Sequence, residues 1–144
     1  MNEAIRPGSD HPPQAQEGPE LSVIVPTFNE RDNVTVLYRR LEATLANVAW
    51  EVVFVDDNSP DGTGGIADDL ARAHNVRVIH RAGKLGLGSA VVEGFAIASA
   101  DVVGVMDADF SHPPALVPKL LAVLETTGAD VAIASRYVPD GSTP

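Results

Sequence analysis

Val102-Val103-Gly104-Val105-Met106-Asp107-Ala108-Asp109 decides the fold of this chain: an apolar run closes on two carboxylates one residue apart. Such a run reads as a buried strand, and the Asp-x-Asp delivers paired oxygen ligands to the end of a sheet. Side chains two apart on extended backbone point to the same side, so Asp107 and Asp109 can reach one hard cation such as Mg²⁺ or Mn²⁺. An earlier run, Val52-Val53-Phe54-Val55, ends in a second acidic pair, Asp56-Asp57. Adjacent strand residues face opposite ways, so one of that pair is expected to meet a ligand while its neighbour serves the scaffold. Two strands ending in carboxylates suggest one site at the carboxyl edge of a parallel sheet, where open α/β folds bind ligands. A phosphorylated, metal-bound substrate is the expectation.

Working outward, strands and helices alternate, the pattern of a mostly parallel α/β sheet flanked by helices. Leu21–Val25 reads as strand one, stopped by Pro26. Val34, Leu37, Tyr38, Leu41 and Leu45 recur at helical steps to about Asn47, with Asn29 as the expected cap. Strand two is Glu51–Val55. Turn formers from Asn58 to Gly65 follow, Asp61 capping a short helix from Ile66 to Ala73. Val76–Ile79 is strand three, Gly83–Gly88 a glycine-rich loop, and Ser89–Ser99 a helix of small residues expected to pack closely on the sheet. Strand four is Val102–Met106. Pro113-Pro114 opens a helix through Leu124, and Val131–Ala134 is expected as strand five before turn formers from Pro139 to Pro144. Residues 1–20, with four prolines and two glycines, read as a disordered leader, and residues 21–144 as one domain.

The bulk properties narrow the partners. The 144 residues carry a formal net charge of −10, and the ten basic residues are scattered, which argues against nucleic acid. Carboxylate-bound metal would reverse the local field, so an anionic substrate stays compatible. The absence of cysteine excludes disulfides and thiolate metal sites and fits a cytoplasmic setting. No window approaches the ~20 apolar residues of a membrane span. Membrane contact is therefore expected to be peripheral, on the cytoplasmic face, or made through a partner subunit.

Other segments offer chemistry beside a plainer use. In Pro26-Thr27-Phe28-Asn29-Glu30, Phe28 suits core packing as well as ligand contact, and Glu30 suits a helix dipole. A carboxylate in Asp56-Asp57-Asn58-Ser59-Pro60-Asp61-Gly62-Thr63 can accept from ribose hydroxyls or a base amine. Lys84-Leu85-Gly86-Leu87-Gly88 puts glycines where backbone amides can approach a phosphate, with Lys84 adding charge. It is neither a P-loop nor a dinucleotide fingerprint, since no Ser or Thr follows the Gly-Lys and Val91 holds the third glycine position. Gly62-x-Gly64-x-x-Ala67 fits the relaxed dinucleotide pattern but follows the wrong strand, with three Asp in between. His74, His80 and His112 lack metal-ligand spacing. Arg136, in Ser135-Arg136-Tyr137, is placed either to clamp a phosphate or to sit on the surface.

Taken in order, these segments resemble the family 2 inverting glycosyltransferases of the GT-A fold, most closely the dolichol-phosphate (polyprenol-phosphate) mannosyltransferases. Asp57-Asn58-Ser59-Pro60-Asp61-Gly62-Thr63 is the discriminating string, and the likeness runs from Leu21 to the C-terminus. The resemblance implies inverting transfer of mannose from GDP-mannose to a polyprenyl phosphate. By it, Pro26, Phe28, Glu30 and Asp57 hold the nucleotide, with Lys84 and Gly86 beside the substrate. It makes Asp107 and Asp109 the metal pair, Ser111 the position that completes the metal site, and Asp109 and Arg136 participants in transfer, Arg136 on a phosphate. Phe28 stands where Tyr is common, keeping the stacking and losing the hydroxyl. The acceptor phosphate is already an anion, so no strong general base is required. Members of the family continue well past the Arg-Tyr-Val segment, so the domain is expected to be incomplete at its C-terminus and short of most of the acceptor half. Three alternatives stand beside transfer: a non-catalytic GDP-mannose-binding fragment, a UDP-glucose-using glucosyltransferase of the same family, and a phosphohydrolase with Asp107 as nucleophile and Asp109 as acid.

Overall fold

The computed structural model describes residues 18–135 and Tyr137; the expectations on residues 1–17, on Arg136 and on the turn formers after Pro139 lie outside them. Four strands are described: β1 (Leu21–Thr27), β2 (Trp50–Asp56), β3 (Val76–His80) and β4 (Val102–Val105). Between and after them run α1 (Arg31–Thr44), α2 (Thr63–Ala71), α3 (Leu87–Ile97), a 3₁₀ turn (Pro114–Leu116) and α4 (Val117–Thr127). The strands form one sheet in the order β3-β2-β1-β4, and every pairing is parallel. The chain steps outward from β1 to β3, then returns through α3 to the other side of β1. The reversal falls between β1 and β4, and ligands of open α/β sheets bind outside the carboxyl ends of strands at such a reversal.

β1 and β2 read as continuous apolar runs because both faces of the sheet are covered. Val23, Val25, Val52 and Phe54 join α1 and α2 residues in the larger core, with Val34, Leu37 and Leu41 as the buried stripe of α1. Ile24, Val53 and Val55 pack against Ala90 of α3 on the other face. There the small-residue expectation holds: a Cβ on Gly94 would come within 2.4 Å of Ile24 Cγ2, so only glycine lets α3 lie this close to β1. At the amino edge, buried Glu51 accepts from Ser22 Oγ (2.6 Å) and the Ser99 N–H (2.7 Å), tying the turn before β4 to the central strands.

Several expected boundaries move. Order reaches back to Glu20, whose N–H donates to Ala49 O at 2.7 Å. Asn29 does not cap α1. It adopts φ 57°, and Glu30 holds the cap position without a side-chain cap bond. α1 ends at Thr44, three residues short of Asn47. α2 begins at Thr63 rather than Ile66, and Gly62 (φ 95°), not Asp61, holds its cap position; Asp61 sits one residue earlier, where its Oδ1 accepts the Thr63 N–H (3.0 Å) and hydroxyl (2.6 Å). The largest correction concerns Val131–Ala134, expected as strand five. It pairs with nothing among the described residues, and Val131 and Ile133 are 70% and 80% exposed. Its β-rich composition supplies propensity, but a strand forms only against a ladder partner.

Candidate functional site

Among the described residues, three non-glycine residues have left-handed backbone: Asn29 (φ 57°), Asn58 (φ 57°) and Phe110 (φ 65°). All three follow carboxyl ends of strands, β1, β2 and β4. Left-handed backbone is least strained for Asn and costly for Phe, and such strain clusters where a loop must present side chains in one arrangement. The sequence reading missed this signal.

The loop after β2 is built inward. Asp56 is 3% exposed; its Oδ1 accepts from Thr27 Oγ1 (3.1 Å) and Ser59 Oγ (2.6 Å), and its Oδ2 from the Ser59 N–H (3.0 Å). Ser59, Thr63 and Asp61 then accept the N–H groups of Asn29, Glu30 and Arg31 at 2.9, 2.9 and 3.2 Å. The Asp-Asn-Ser-Pro-Asp-Gly-Thr string is thus the cap of α1, supplied from the neighbouring strand, which is why Asn29 is free of that duty. The hydroxyl of Thr63, its N–H and the Arg31 N–H all stabilise the Asp61 carboxylate, in that order, and hold it below the usual 3.8. Glu30 accepts from Asn33 Nδ2 at 2.6 Å, an orientation that aims its carboxylate along the first turn of α1.

Asp57 is buried too, at 7% exposure. Its Oδ1 accepts from Arg81 Nη1 (2.5 Å), and its Oδ2 from the N–H groups of Leu85 (3.1 Å) and Gly86 (3.2 Å). Both members of the pair therefore serve the scaffold, not one, and the two loop amides expected to approach a phosphate are occupied by a carboxylate. Gly86 is held at φ 98°, backbone that favours glycine. The loop brings Lys84 Nζ to 4.3 Å from the centroid of the Phe28 ring. Phe28 is half-buried and outside both core clusters, so core packing is not its use. Sequence reasoning missed Arg81; the available signal was a basic residue at the end of a strand, three before Lys84.

The β4 end is built outward. Met106 before the pair and Ala108 within it are buried, while Asp107 is half-buried and Asp109 exposed. Asp107 Oδ2 is 3.7 Å from His112 Nδ1, and Asp109 Oδ1 accepts the Ser111 N–H at 2.9 Å. The Ser111 hydroxyl, then its N–H, and more weakly His112 keep the Asp109 carboxyl below 3.8. It is therefore charged at neutral pH. Among the described residues no Lys or Arg forms an ion pair with either carboxylate, and no group of three or more His, Cys, Asp or Glu gathers there. Arg40 stacks on the Phe110 ring at 4.4 Å, bracing the strained residue after the pair. Pro26, at the end of β1, completes the described candidates. A separate groove of about 490 Å³, between the starts of α1 and α2, is lined by Arg31, Asp61 and Arg72 among others and contains none of them.

Known proteins share this arrangement. The family model described as "Glycosyl transferase family 2" matches residues 22–144. A dolichol-phosphate mannosyltransferase of Pyrococcus furiosus is 48% identical over 122 residues, covering 85% of this chain and 34% of that protein. A polyprenol monophosphomannose synthase of Mycolicibacterium smegmatis is 45% identical over 125 residues, covering 83% and 46%. Among solved structures, the mannosyltransferase PcManGT of Pyrobaculum calidifontis, in complex with GDP-Man and Mn²⁺, superposes with a TM-score of 0.58 at 26% identity. That alignment covers 65% of this chain and 28% of the other. S. aureus TarS 1-349 in complex with UDP-GlcNAc gives 0.63 at 26% identity, covering 77% and 32%. These neighbours are GT-A glycosyltransferases, the fold that the family resemblance implied. The chain spans between a third and half the length of the curated relatives it matches. On a match that takes in every residue from Ser22 onward, the chain belongs to glycosyl transferase family 2.

Proposed function

We propose that this chain forms the donor-binding half of a metal-dependent glycosyltransferase that moves mannose from GDP-mannose to a polyprenyl phosphate. The observation that carries the reading is the contrast at one sheet edge: among the described residues Asp107 and Asp109 have no Lys or Arg partner beside the β1–β4 reversal, while the neighbouring acidic loop is locked. Asp107 and Asp109 would hold Mg²⁺ or Mn²⁺, with Ser111 beside them. Two carboxylates leave most of a hard cation's positions open, which suits a diphosphate and water as the remaining ligands. Bound there, the ion supplies charge neutralisation for the departing nucleoside diphosphate. The relatives' names, and the GDP-Man and Mn²⁺ in the P. calidifontis structure, support this donor and this ion.

The chain's own residues divide the remaining work. Phe28, with Lys84 over it, offers a stacking face and a cation at the end of β1. Pro26 and Glu30 flank that face, and Glu30 is aimed by Asn33. Asp57 shapes the pocket through the Gly86 loop. Arg136 is assigned to a phosphate of donor or acceptor and, with Asp109, to the transfer step. The acceptor is an anion and needs no proton removed, so no general base is required; a single displacement, in which the acceptor oxygen bonds to the anomeric carbon as GDP leaves, inverts that carbon. Among the described residues no helix is long and apolar enough to cross a membrane. We assign contact with a lipid acceptor to a peripheral surface on the cytoplasmic face or to a partner subunit.

Calorimetric titration with GDP-mannose tests the reading, with Mn²⁺, then with chelator, and with UDP-glucose as the control. Metal-dependent, GDP-selective binding supports it, and formation of mannosyl lipid from added polyprenyl phosphate extends it to catalysis. Binding without turnover makes the chain a donor-binding module; preference for UDP-glucose makes the donor wrong.

A further inference from the structure

Among the described residues Arg81 is the buried cation, 5% exposed, and the donor reading has no use for it. Its Nη1 donates to Asp57 Oδ1 (2.5 Å) and Gly86 O (3.1 Å), and its Nη2 donates to Ser89 Oγ (2.5 Å). Its Nε lies 3.2 Å from Glu93 Oε1 without hydrogen-bond alignment. The Arg81 N–H also donates to Asp56 O at 2.9 Å. One planar fork from the end of β3 therefore joins the end of β2, the glycine loop and the first turn of α3. A lysine offers a single point charge and cannot span these partners.

We propose that Arg81 is a positioning residue for the donor pocket. By fixing Asp57 it holds the carboxylate that clamps the Leu85 and Gly86 amides, and so sets the Gly83–Gly88 loop with Lys84 against Phe28. The inference rests on the donor reading above and assigns Arg81 to the nucleoside end of that ligand. The diphosphate end belongs to Asp107 and Asp109, past the end of β4, which Arg81 does not touch. Without the guanidinium, Asp57 becomes a buried charge whose Oδ1 has no donor, and the carboxylate turns or takes up water. The loop then keeps the Ser89 hydroxyl on the Leu85 and Gly86 carbonyls, each at 3.0 Å, and the Ala90 N–H on the Gly86 carbonyl at 3.1 Å, but no bond to the Leu85 and Gly86 amides from Asp57 in its present position.

The test compares two ligands and one exchange measurement in the parent, Arg81→Lys and Arg81→Met. The ligands are GDP with Mn²⁺ and inorganic diphosphate with Mn²⁺; the third readout is hydrogen exchange at the Leu85 and Gly86 amides. For Arg81→Met we expect GDP binding weakened about 10- to 100-fold, the range for removing a residue that orients a ligand-contacting group. Diphosphate binding should change by no more than about two-fold, since its groups lie past the end of another strand. Exchange at the two amides should rise, Arg81→Lys should fall between, and Asp57→Asn added to Arg81→Met should cause little further loss. Equal weakening of both ligands, or unchanged GDP binding and exchange, overturns the proposal and makes Arg81 a structural ion-pair partner. Should Arg81→Met fail to fold, Arg81→Lys and Ser89→Ala carry the same comparison. A parent that binds diphosphate and Mn²⁺ but not GDP overturns the donor reading and this role together, an outcome distinct from a parent that binds GDP and a variant that does so equally well.

Discussion

Two strands of this sheet end in acidic pairs, and the protein uses them oppositely. At the end of β2, Asp56 and Asp57 are buried, and every carboxylate oxygen accepts from a protein donor. At the end of β4, Asp107 and Asp109 are half-buried and exposed, and their nearest partners are one imidazole and one serine. Sequence composition does not distinguish the pairs, since both follow apolar runs. Spacing does. Consecutive carboxylates on a strand end point to two faces, where the covering helices can enclose both. Asp107 and Asp109 lie past the end of β4, with Asp109 in a turn, and the small buried Ala108 between them leaves both heads at the edge. A saturated carboxylate is architecture; an unsaturated one at the chain reversal is available to a ligand.

The sharpest way to break this comparison is to delete one carboxylate from each pair. Asp56→Ala strands the Ser59 N–H and hydroxyl and the Thr27 hydroxyl, and should cost about 4 kcal/mol, the range for removing one partner from a buried charged network. Urea unfolding measures it. A loss below about 1 kcal/mol, ordinary for a surface residue, would show that the β2 pair is not scaffold. Asp109→Ala should leave unfolding within about 0.5 kcal/mol of the parent. The same change should abolish Mn²⁺-dependent donor binding, about 100-fold or more by titration, because a cation there has only two protein carboxylates. Retained binding would move the site away from β4. A smaller effect sharpens the contrast on β1. Phe28→Leu keeps bulk but removes the ring under Lys84, and should weaken GDP binding about three- to ten-fold, the scale of a lost stacking and cation–π contact.

Much of this was legible in the sequence, for reasons that differ by element. β1, β2 and α1 carry strong periodicity over buried faces, so their existence is set by local pattern. The Asp-x-Asp was legible as an acidic pair closing an apolar run, although the backbone turns at Ala108 and Asp109 instead of staying extended. Asn29 was misread as a cap because the groups that satisfy α1 come from residues about thirty positions further along, beyond any local rule. Arg81 escaped for the same reason: its partners reach from Asp57 to Glu93, and a basic residue after a strand announces none of them. Val131–Ala134 was overread because β-propensity says nothing about whether a neighbour is there to pair.

Asp61 lies between the two regimes, half-buried like Asp107 yet bonded like the β2 pair, and its titration measures how much those bonds matter. Its carboxyl is held below 3.8 by the Thr63 hydroxyl, the Thr63 N–H and the Arg31 N–H, whereas in the unfolded chain it titrates near 3.8. A depressed native value means that the unfolded state binds the proton more readily. The contribution is therefore complete above the unfolded value and drains away as pH falls through the native one. Asp61→Asn removes the titration while keeping an acceptor of similar shape. The parent should be more stable than Asp61→Asn at pH 6, by a small margin suited to a partly exposed site, and the two curves should converge below pH 3.8. Thermal unfolding of both proteins between pH 6 and pH 3 gives the difference directly, the other carboxylates cancelling in the subtraction. A gap that persists at the acid end would place the stabilisation in the shape of the side chain. Convergence places it in the charge, and makes the α1 cap an electrostatic joint between the β1 and β2 ends of the site.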